Sequence, residues 1–318
     1  MVTDAHKLAT TVKTLARQLD FDLVGITSAE PLPQAGQNLL QTVKSGFTAG
    51  MSYLQRNPLS RAQPKSLAPW ARSVICVGIN YYSGPLSQPT AKSQVRLSRY
   101  ALGRDYHLVL SEKLTLFSQA LEKLLQRKIR SRMAVDTSPL MEKPLAQRAH
   151  LGWQGKNTLL INKKFGSWIF LGELLTDLDL AVDLPCADQC GDCRVCIDAC
   201  PTGALSEPGV LDARKCLSFL TIEHKDEIPA VVLKKIQTNK ETGRYCFGCD
   251  ICQEVCPFNR DTPQTAEKRF YPRPEFSNLR LDQLKQISEP QFKDMFSDTP
   301  VIRLSYQQFR RNLHLIKQ

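Results

Sequence analysis

No apolar run in this 318-residue chain reaches the roughly 18 residues a membrane-spanning helix needs, because charge or glycine interrupts each stretch first. The opening residues, Met1-Val2-Thr3-Asp4-Ala5-His6, have neither the basic segment and apolar run of a secretory signal nor a twin arginine. A cytoplasmic protein without membrane contact is therefore expected. Low-complexity tracts are missing, and nothing repeats outside one cysteine-rich region, which leaves an ordinary globular organisation. Acid is in deficit: 31 Asp and Glu face 42 Lys and Arg, for a net charge of +11. Such an excess suits a polyanionic partner, since neutralising phosphates releases counterions. With 42% hydrophobic and 23% charged residues, the chain can bury the cores of two or three domains.

Cysteine is plentiful, and its placement is informative. Ten of the eleven cysteines lie between Cys186 and Cys256. In a reducing compartment, clustered cysteines serve more often as metal ligands than as disulfides. The first group reads Cys190-x2-Cys193-x2-Cys196-x3-Cys200-Pro201 and the second Cys246-x2-Cys249-x2-Cys252-x3-Cys256-Pro257. This is the bacterial-ferredoxin run written twice, in which the fourth cysteine of each run ligates the other cluster. A pair of zinc sites would use only two cysteine pairs apiece and leave the third and fourth thiols of each run unexplained. Two [4Fe–4S] clusters are expected. They need eight ligands, whereas nine cysteines lie between 190 and 256. The ferredoxin template assigns Cys200, Cys246, Cys249 and Cys252 to one cluster and Cys190, Cys193, Cys196 and Cys256 to the other, leaving Cys216 free. Cys76 and Cys186 lack partners at ligand spacing.

Around this region the periodicity is mixed. Leu8, Val12, Leu15 and Leu19 recur at helical spacing, and Phe21–Ile26 and Ser73–Tyr82 read as strands. Leu110, Leu114, Phe117, Leu121 and Leu124 mark one face of a long helix. Arg132–Asp136 reads as a short strand ending at a carboxylate, and Asn157–Ile161 and Ser167–Leu171 as further strands with Gly166 in the turn between them. After the Pro-punctuated stretch 261–275, amphipathic helices are expected near 279–287 and 305–316. The fold class is α+β. The domains are expected at 1–183, 184–260 (the two-cluster, ferredoxin-like domain) and 261–318, a helical tail packing on the rest.

A small ferredoxin carries two clusters in far fewer residues, so the N-terminal part needs a purpose. It contains VDTSPLMEKPLAQRAHLGWQGKNTLLIN and FGSWIFLGELLTDL, followed by CGDCRVCIDACPTGAL, CLSFLTIEH and FGCDICQEVCPFN. Over about residues 5–312 these motifs resemble epoxyqueuosine reductase. The resemblance implies an α/β cobalamin-binding domain of nitroreductase and reductive-dehalogenase type. It also implies two [4Fe–4S] clusters feeding electrons to cobalamin. The implied activity is reduction of the epoxide of epoxyqueuosine in tRNA anticodons to the alkene, the last step of queuosine biosynthesis. Some relatives carry a further C-terminal helical-repeat extension that is not seen here. The family pattern revises the cysteine assignment: it places Cys190, Cys193, Cys196 and Cys256 on one cluster and Cys200, Cys216, Cys249 and Cys252 on the other, with Cys246 spare.

Asp136 resembles the family's catalytic carboxylate, the proton donor to the departing epoxide oxygen. A free Asp titrates near ~3.9, so a donor role calls for burial to raise it by roughly three units. Read alone, an Asp before Thr-Ser-Pro is a turn or capping residue. The resemblance also implies cofactor contacts from Arg61, Gly155, Lys156 and Asn157, with Gly152 in the same loop, and from Ser218 and Asp250 beside cluster ligands. The glycines read equally well as a tight turn. His107, after Tyr106 at the start of the long helix, reads as a surface or packing residue. Two basic groups, Lys123, Arg127, Lys128, Arg130 and Arg132, then Lys234, Lys235, Lys240 and Arg244, suit an anticodon-stem backbone or simply a solvated face. A monomer served by a flavodoxin or ferredoxin is the expected assembly. Two competing readings are a reductive dehalogenase, whose usual twin-arginine signal is not seen, and a non-catalytic electron carrier.

Overall fold

The structure, a computed structural model, describes residues 4–86, 94–239, 242–276 and 278–316. A run rich in β-branched residues, SVICVGIN, forms strand β2 (Ser73–Asn80), buried along its whole length. It pairs antiparallel with β1 (Leu23–Ser28) on one side and with β4 (Ile169–Thr176) on the other, and β3 (Ser131–Ala134) closes the far edge against β4. The sheet order is thus β1-β2-β4-β3.

Strand alternation sends residues to two cores. Ile75, Val77, Ile79 and Leu174 face helices α1 (Asp4–Gln18) and α2 (Tyr106–Leu125), meeting Val12, Leu110, Leu114 and Phe117. Val74, Cys76, Leu171 and Leu175 face helix α3 (Glu142–Arg148), meeting Leu145 and Ala146. The expected stripes of both long helices are therefore core stripes, except that Leu124 is exposed and Leu125 packs on the core in its place. A third core joins Val95, Leu97 and Leu102 to Cys246, Phe247 and the tail residues Phe292, Phe296, Phe309 and Leu313. A two-residue parallel pairing of Arg96–Leu97 with Tyr245–Phe247 ties the same parts together. The α+β class holds.

Several boundaries differ from expectation, each for a local reason. The strand expected at Asn157–Ile161 is only Leu160–Ile161, paired with Trp153–Gln154, because 155–159 form the connecting turn, with Thr158 at φ +67°. The strand expected at Ser167–Leu171 begins at Ile169 and runs on to Thr176 as the central β4. β3 stops at Ala134, and Asp136 sits beyond it in the left-handed region at φ +50°. The tail has two short helices, Leu281–Leu284 and Glu289–Met295, before Tyr306–Leu313, because Ser288 starts a new one with a capping box to Gln291. Among the described residues no helix is long and apolar enough to cross a membrane.

Candidate active site and cluster ligands

β2 ends, β4 begins and β3 ends at one edge of the sheet, and a cavity of about 360 Å³ opens there. Its walls are largely apolar, with Tyr81, Tyr100, Tyr106, Phe170 and Leu217 among them. Asp136 and Glu142 line it, as do Cys200, Cys216, Cys249 and Cys252.

Asp136 is held from three directions. Asp105 caps α2, accepting the His107 backbone N–H at 3.0 Å, and its carboxylate also meets His107 Nδ1 at 2.7 Å. That contact turns the imidazole so that Nε2 lies 3.1 Å from Asp136 Oδ2. The Tyr106 hydroxyl also acts on the Asp136 carboxylate, and its ring stacks on Phe170 with centroids 4.4 Å apart. From below, Glu142 Oε1 accepts the Asp136 backbone N–H. Burial pushes the Asp136 carboxyl up, but hydrogen bonds from His107 and Tyr106 and the charges of His107 and Arg303 outweigh it, and the net shift is downward. For His107 burial pulls down, the two carboxylates pull up more strongly, and the net shift is upward. Burial alone therefore does not hold Asp136 neutral in this arrangement: the directions of the two shifts favour a carboxylate beside an imidazolium. His107, expected to be a surface or packing residue, is instead part of the site.

The thiols fall into two sets. Charge on Cys190, Cys193 and Cys196 acts on Cys256, and that on Cys190 and Cys193 acts on Cys196. Cys216 and Cys200 act on Cys252, Cys252 and Cys216 on Cys249, and Cys200 on Cys216, and the two groups adjoin where Cys196 also acts on Cys252. Cys246 belongs to neither: it is fully buried in the third core, its carbonyl accepts from Asn312 Nδ2 at 2.9 Å, and burial alone pushes its thiol up to about 12. Burial raises Cys196, Cys216, Cys249, Cys252 and Cys256, a state that favours neutral SH until cations gather the sulfurs as thiolates. All eleven cysteines are free of disulfides. Among the described residues no three His, Cys, Asp or Glu side chains converge closely enough to hold a single ion. Two sets of four thiols are what a pair of cubanes needs, with the fourth cysteine of each run serving the other cluster. Trp153 Nε1 donates to Cys190 Sγ at 3.4 Å, a contact that orients this ligand.

The other expected contacts divide. Asn157, Ser218 and Asp250 line the cavity, and Asp250 Oδ2 accepts the Arg99 N–H at 2.7 Å. Gly155 does not face it: a Cβ there would come 2.3 Å from Ile161 Cδ1, so the glycine serves the packing of its own hairpin. Gly152 does the same against the Ile161 carbonyl at 2.2 Å. Lys156 turns to the Gly191 carbonyl in the first cysteine run. Arg61 reaches the Ser138 carbonyl at 3.4 Å, on the Asp136 loop and outside the cavity lining. Cys186 packs beside Cys190 and Trp153, and Cys76 is buried under the sheet. Glu142, Lys143, Tyr100 and Thr158, none expected, complete the walls. For His107 the legible signal was an Asp two residues earlier at a helix start, a capping pattern that also fixes an imidazole.

The fold and the paired thiol sets define an iron–sulfur oxidoreductase. Residues 189–259 match a family described as a 4Fe–4S double cluster binding domain, and residues 61–137 match the family described as epoxyqueuosine reductase QueG, DUF1730. The epoxyqueuosine reductase of Vibrio cholerae is 39% identical over 98% of this chain and 83% of its own length. That of Leadbetterella byssophila is 37% identical over 96% and 97%. A solved selenomethionine-labelled epoxyqueuosine reductase superposes with TM-score 0.89 at 31% identity, covering 97% of this chain and 80% of that one. A second, bound to an epoxyqueuosine-modified tRNA-Tyr stem loop, gives TM-score 0.88 at 31% identity over the same shares. The chain belongs to the epoxyqueuosine reductase family.

Proposed function

We propose that this protein reduces the epoxide of epoxyqueuosine in tRNA anticodons to an alkene, consuming two electrons and two protons and releasing the oxygen as water. The observation that carries the reading is that Asp136 and the cysteines Cys200, Cys216, Cys249 and Cys252 line one largely apolar cavity. The solved relative with a modified tRNA stem loop supports the substrate. The lining fits cobalamin, because aromatic and aliphatic walls suit a large ring system with a proton source on one side and an electron source on the other. When bound, the clusters would supply electrons singly and cobalamin would supply a strongly reducing centre beside the substrate.

The chain's own residues set the proton chemistry. His107 carries the proton and Asp136 orients it, so that charge developing on the leaving oxygen draws it through the Nε2–Oδ2 contact. The stacked rings of Tyr106 and Phe170 form the apolar wall beside that contact. The proposed ligand sets are Cys190, Cys193, Cys196 and Cys256, then Cys200, Cys216, Cys249 and Cys252. Asn157, Ser218 and Asp250 are the proposed cofactor contacts, with Arg61 supporting the catalytic loop. Residues 1–183 form the proposed cofactor domain, 184–260 the cluster domain and 261–318 the tail that braces both. A cytoplasmic monomer fed by a flavodoxin or ferredoxin completes the proposal.

The test is anaerobic reconstitution with iron, sulfide and cobalamin, followed by epoxyqueuosine tRNA and nucleoside mass analysis. Queuosine is expected from the native chain, and Asp136→Asn is expected to slow its formation by about 100-fold or more with tRNA binding intact. Persistence of epoxyqueuosine with the native chain and a competent reductant overturns the proposal.

A further inference from the structure

Behind Asp136, away from the thiols, stand two more carboxyl groups. Glu173 lies mid-strand in β4, in register with Cys76 of β2 and Ala134 of β3, and Cys76 is in register with Gly25 of β1. These small neighbours let α3 lie close over the sheet: a Cβ on Gly25 would come 1.8 Å from the Ala149 carbonyl. Glu173 is 0% exposed, and neither of its carboxylate oxygens meets a hydrogen-bond donor among the described residues. The polar group it faces is the carboxyl of Glu142, the first residue of α3. Glu142 reaches the cavity wall, and its Oε1 holds the Asp136 N–H.

Two carboxylates cannot bond to each other unless one carries a proton, and a bare buried carboxylate is strongly disfavoured. We propose that Glu142 and Glu173 share one proton in an acid–carboxylate hydrogen bond, and that Glu142 delivers it to the cavity as the second proton of the reduction. This rests on the epoxide-reductase reading for its last step only. The balance is complete: the epoxide gains two electrons from the clusters through cobalamin, one proton from the His107–Asp136 pair and one from the Glu142–Glu173 pair. Both C–O bonds break and water leaves. The two pairs then regain protons from solvent through the open side of the cavity, where Asp136 is 54% exposed.

The surroundings support a proton resting here at neutral pH. Burial and the Asp136 charge push Glu142 up, the Asp136 N–H, Lys143 and His107 pull it down, and the result is about 7. Burial and then Glu142 drive Glu173 upward as well, with Asp136 adding to it. On the neighbouring strand Glu173 pairs in register with Cys76, whose thiol burial pushes up and the Arg148 charge pulls down. The proton belongs to the pair as a unit.

Infrared spectra of the protein before reconstitution test the shared proton. Near neutral pH the native chain is expected to show a protonated-carboxyl C=O band that shifts in D2O and is lost in Glu173→Gln, and an unchanged spectrum overturns the proposal. Glu142→Gln tests delivery. Its amide oxygen still accepts from Asp136 and its NH2 donates to Glu173, so a purely structural pair tolerates it. Unchanged iron content and tRNA binding with about 100-fold slower turnover is expected, and native turnover overturns the delivery step. If that variant fails to fold, Glu173→Gln serves: removing the neighbouring charge moves the alkaline fall in turnover to lower pH, and an unmoved profile overturns it. Failure of the native enzyme to reduce epoxyqueuosine would sink the functional reading while leaving the infrared band in place, so the two failures are distinguishable.

Discussion

Single residues decide which thiols hold iron. Cys216 and Cys246 are the contested pair. The structure sets Cys216 within electrostatic reach of Cys200, Cys249 and Cys252, and sinks Cys246 among Phe247, Phe309 and Leu313. Cys216→Ala is expected to lower iron from about eight to about four per chain, and Cys246→Ala to leave it near eight, by elemental analysis of anaerobic protein. The opposite pattern would restore the ferredoxin template. Spacing alone left this choice open, because Cys216 lies far in sequence from either run and is brought in by the start of the helix Leu217–Ile222. Asp136 was legible from its motif, whereas its protonation was not. That depends on His107, 29 positions away in sequence, which only the packing of α2 beside the end of β3 brings within reach.

At the level of elements, periodic patterns were legible and turns were not. The stripes of α1 and α2 and the β-branched run of β2 announce themselves over eight residues or more, while the 155–159 turn and the Ser288 cap depend on single residues. Gly166 shows how much one turn can carry. It sits at φ +57°, and a Cβ there would fall 1.7 Å from Asn259 Oδ1. That oxygen accepts from the Ser167 N–H at 2.7 Å, and Asn259 Nδ2 donates to the Gln253 carbonyl at 2.7 Å. Asn259 follows Cys256 by one short turn, so the hairpin before β4 is fastened to the element that supplies a proposed ligand. Gly166→Ala is expected to destabilise the protein by roughly 2 kcal/mol or more, from left-handed strain and a broken buried hydrogen bond. Denaturant unfolding measures it, and a loss under about 0.5 kcal/mol, the ordinary range of surface substitutions, would sink this account.

Over the whole molecule the excess of positive charge divides by distance. Arg132 of the first basic group lies on β3, four residues before Asp136, whereas Lys123 and Arg127 lie at the end of α2, roughly 25 Å along the helix from its Asp136 end. Lys128 there is paired with Glu122. Lys234 and Lys235 lie on the helix Ala230–Thr238, which packs into the core that also holds Cys216 and Cys249, while Lys240 lies outside the described residues. Binding of tRNA is expected to weaken at least tenfold between about 50 and 200 mM salt. Replacing Lys123 and Arg127 by Gln is expected to change that slope little, as filter binding would measure. A slope that collapses in this variant would place the nucleic acid at the far end of α2.

The crossing of Cys200 and Cys256 between the two thiol sets reaches back to synthesis. A nascent chain that has emerged only as far as Pro201 presents three sulfurs of one nest and a lone sulfur of the other, so neither nest is finished. With the proposed ligand sets, both would close only after the second run has left the ribosome, so iron loading would wait for both runs to be made. Fragments cut before Cys249 would be born unable to keep either cubane.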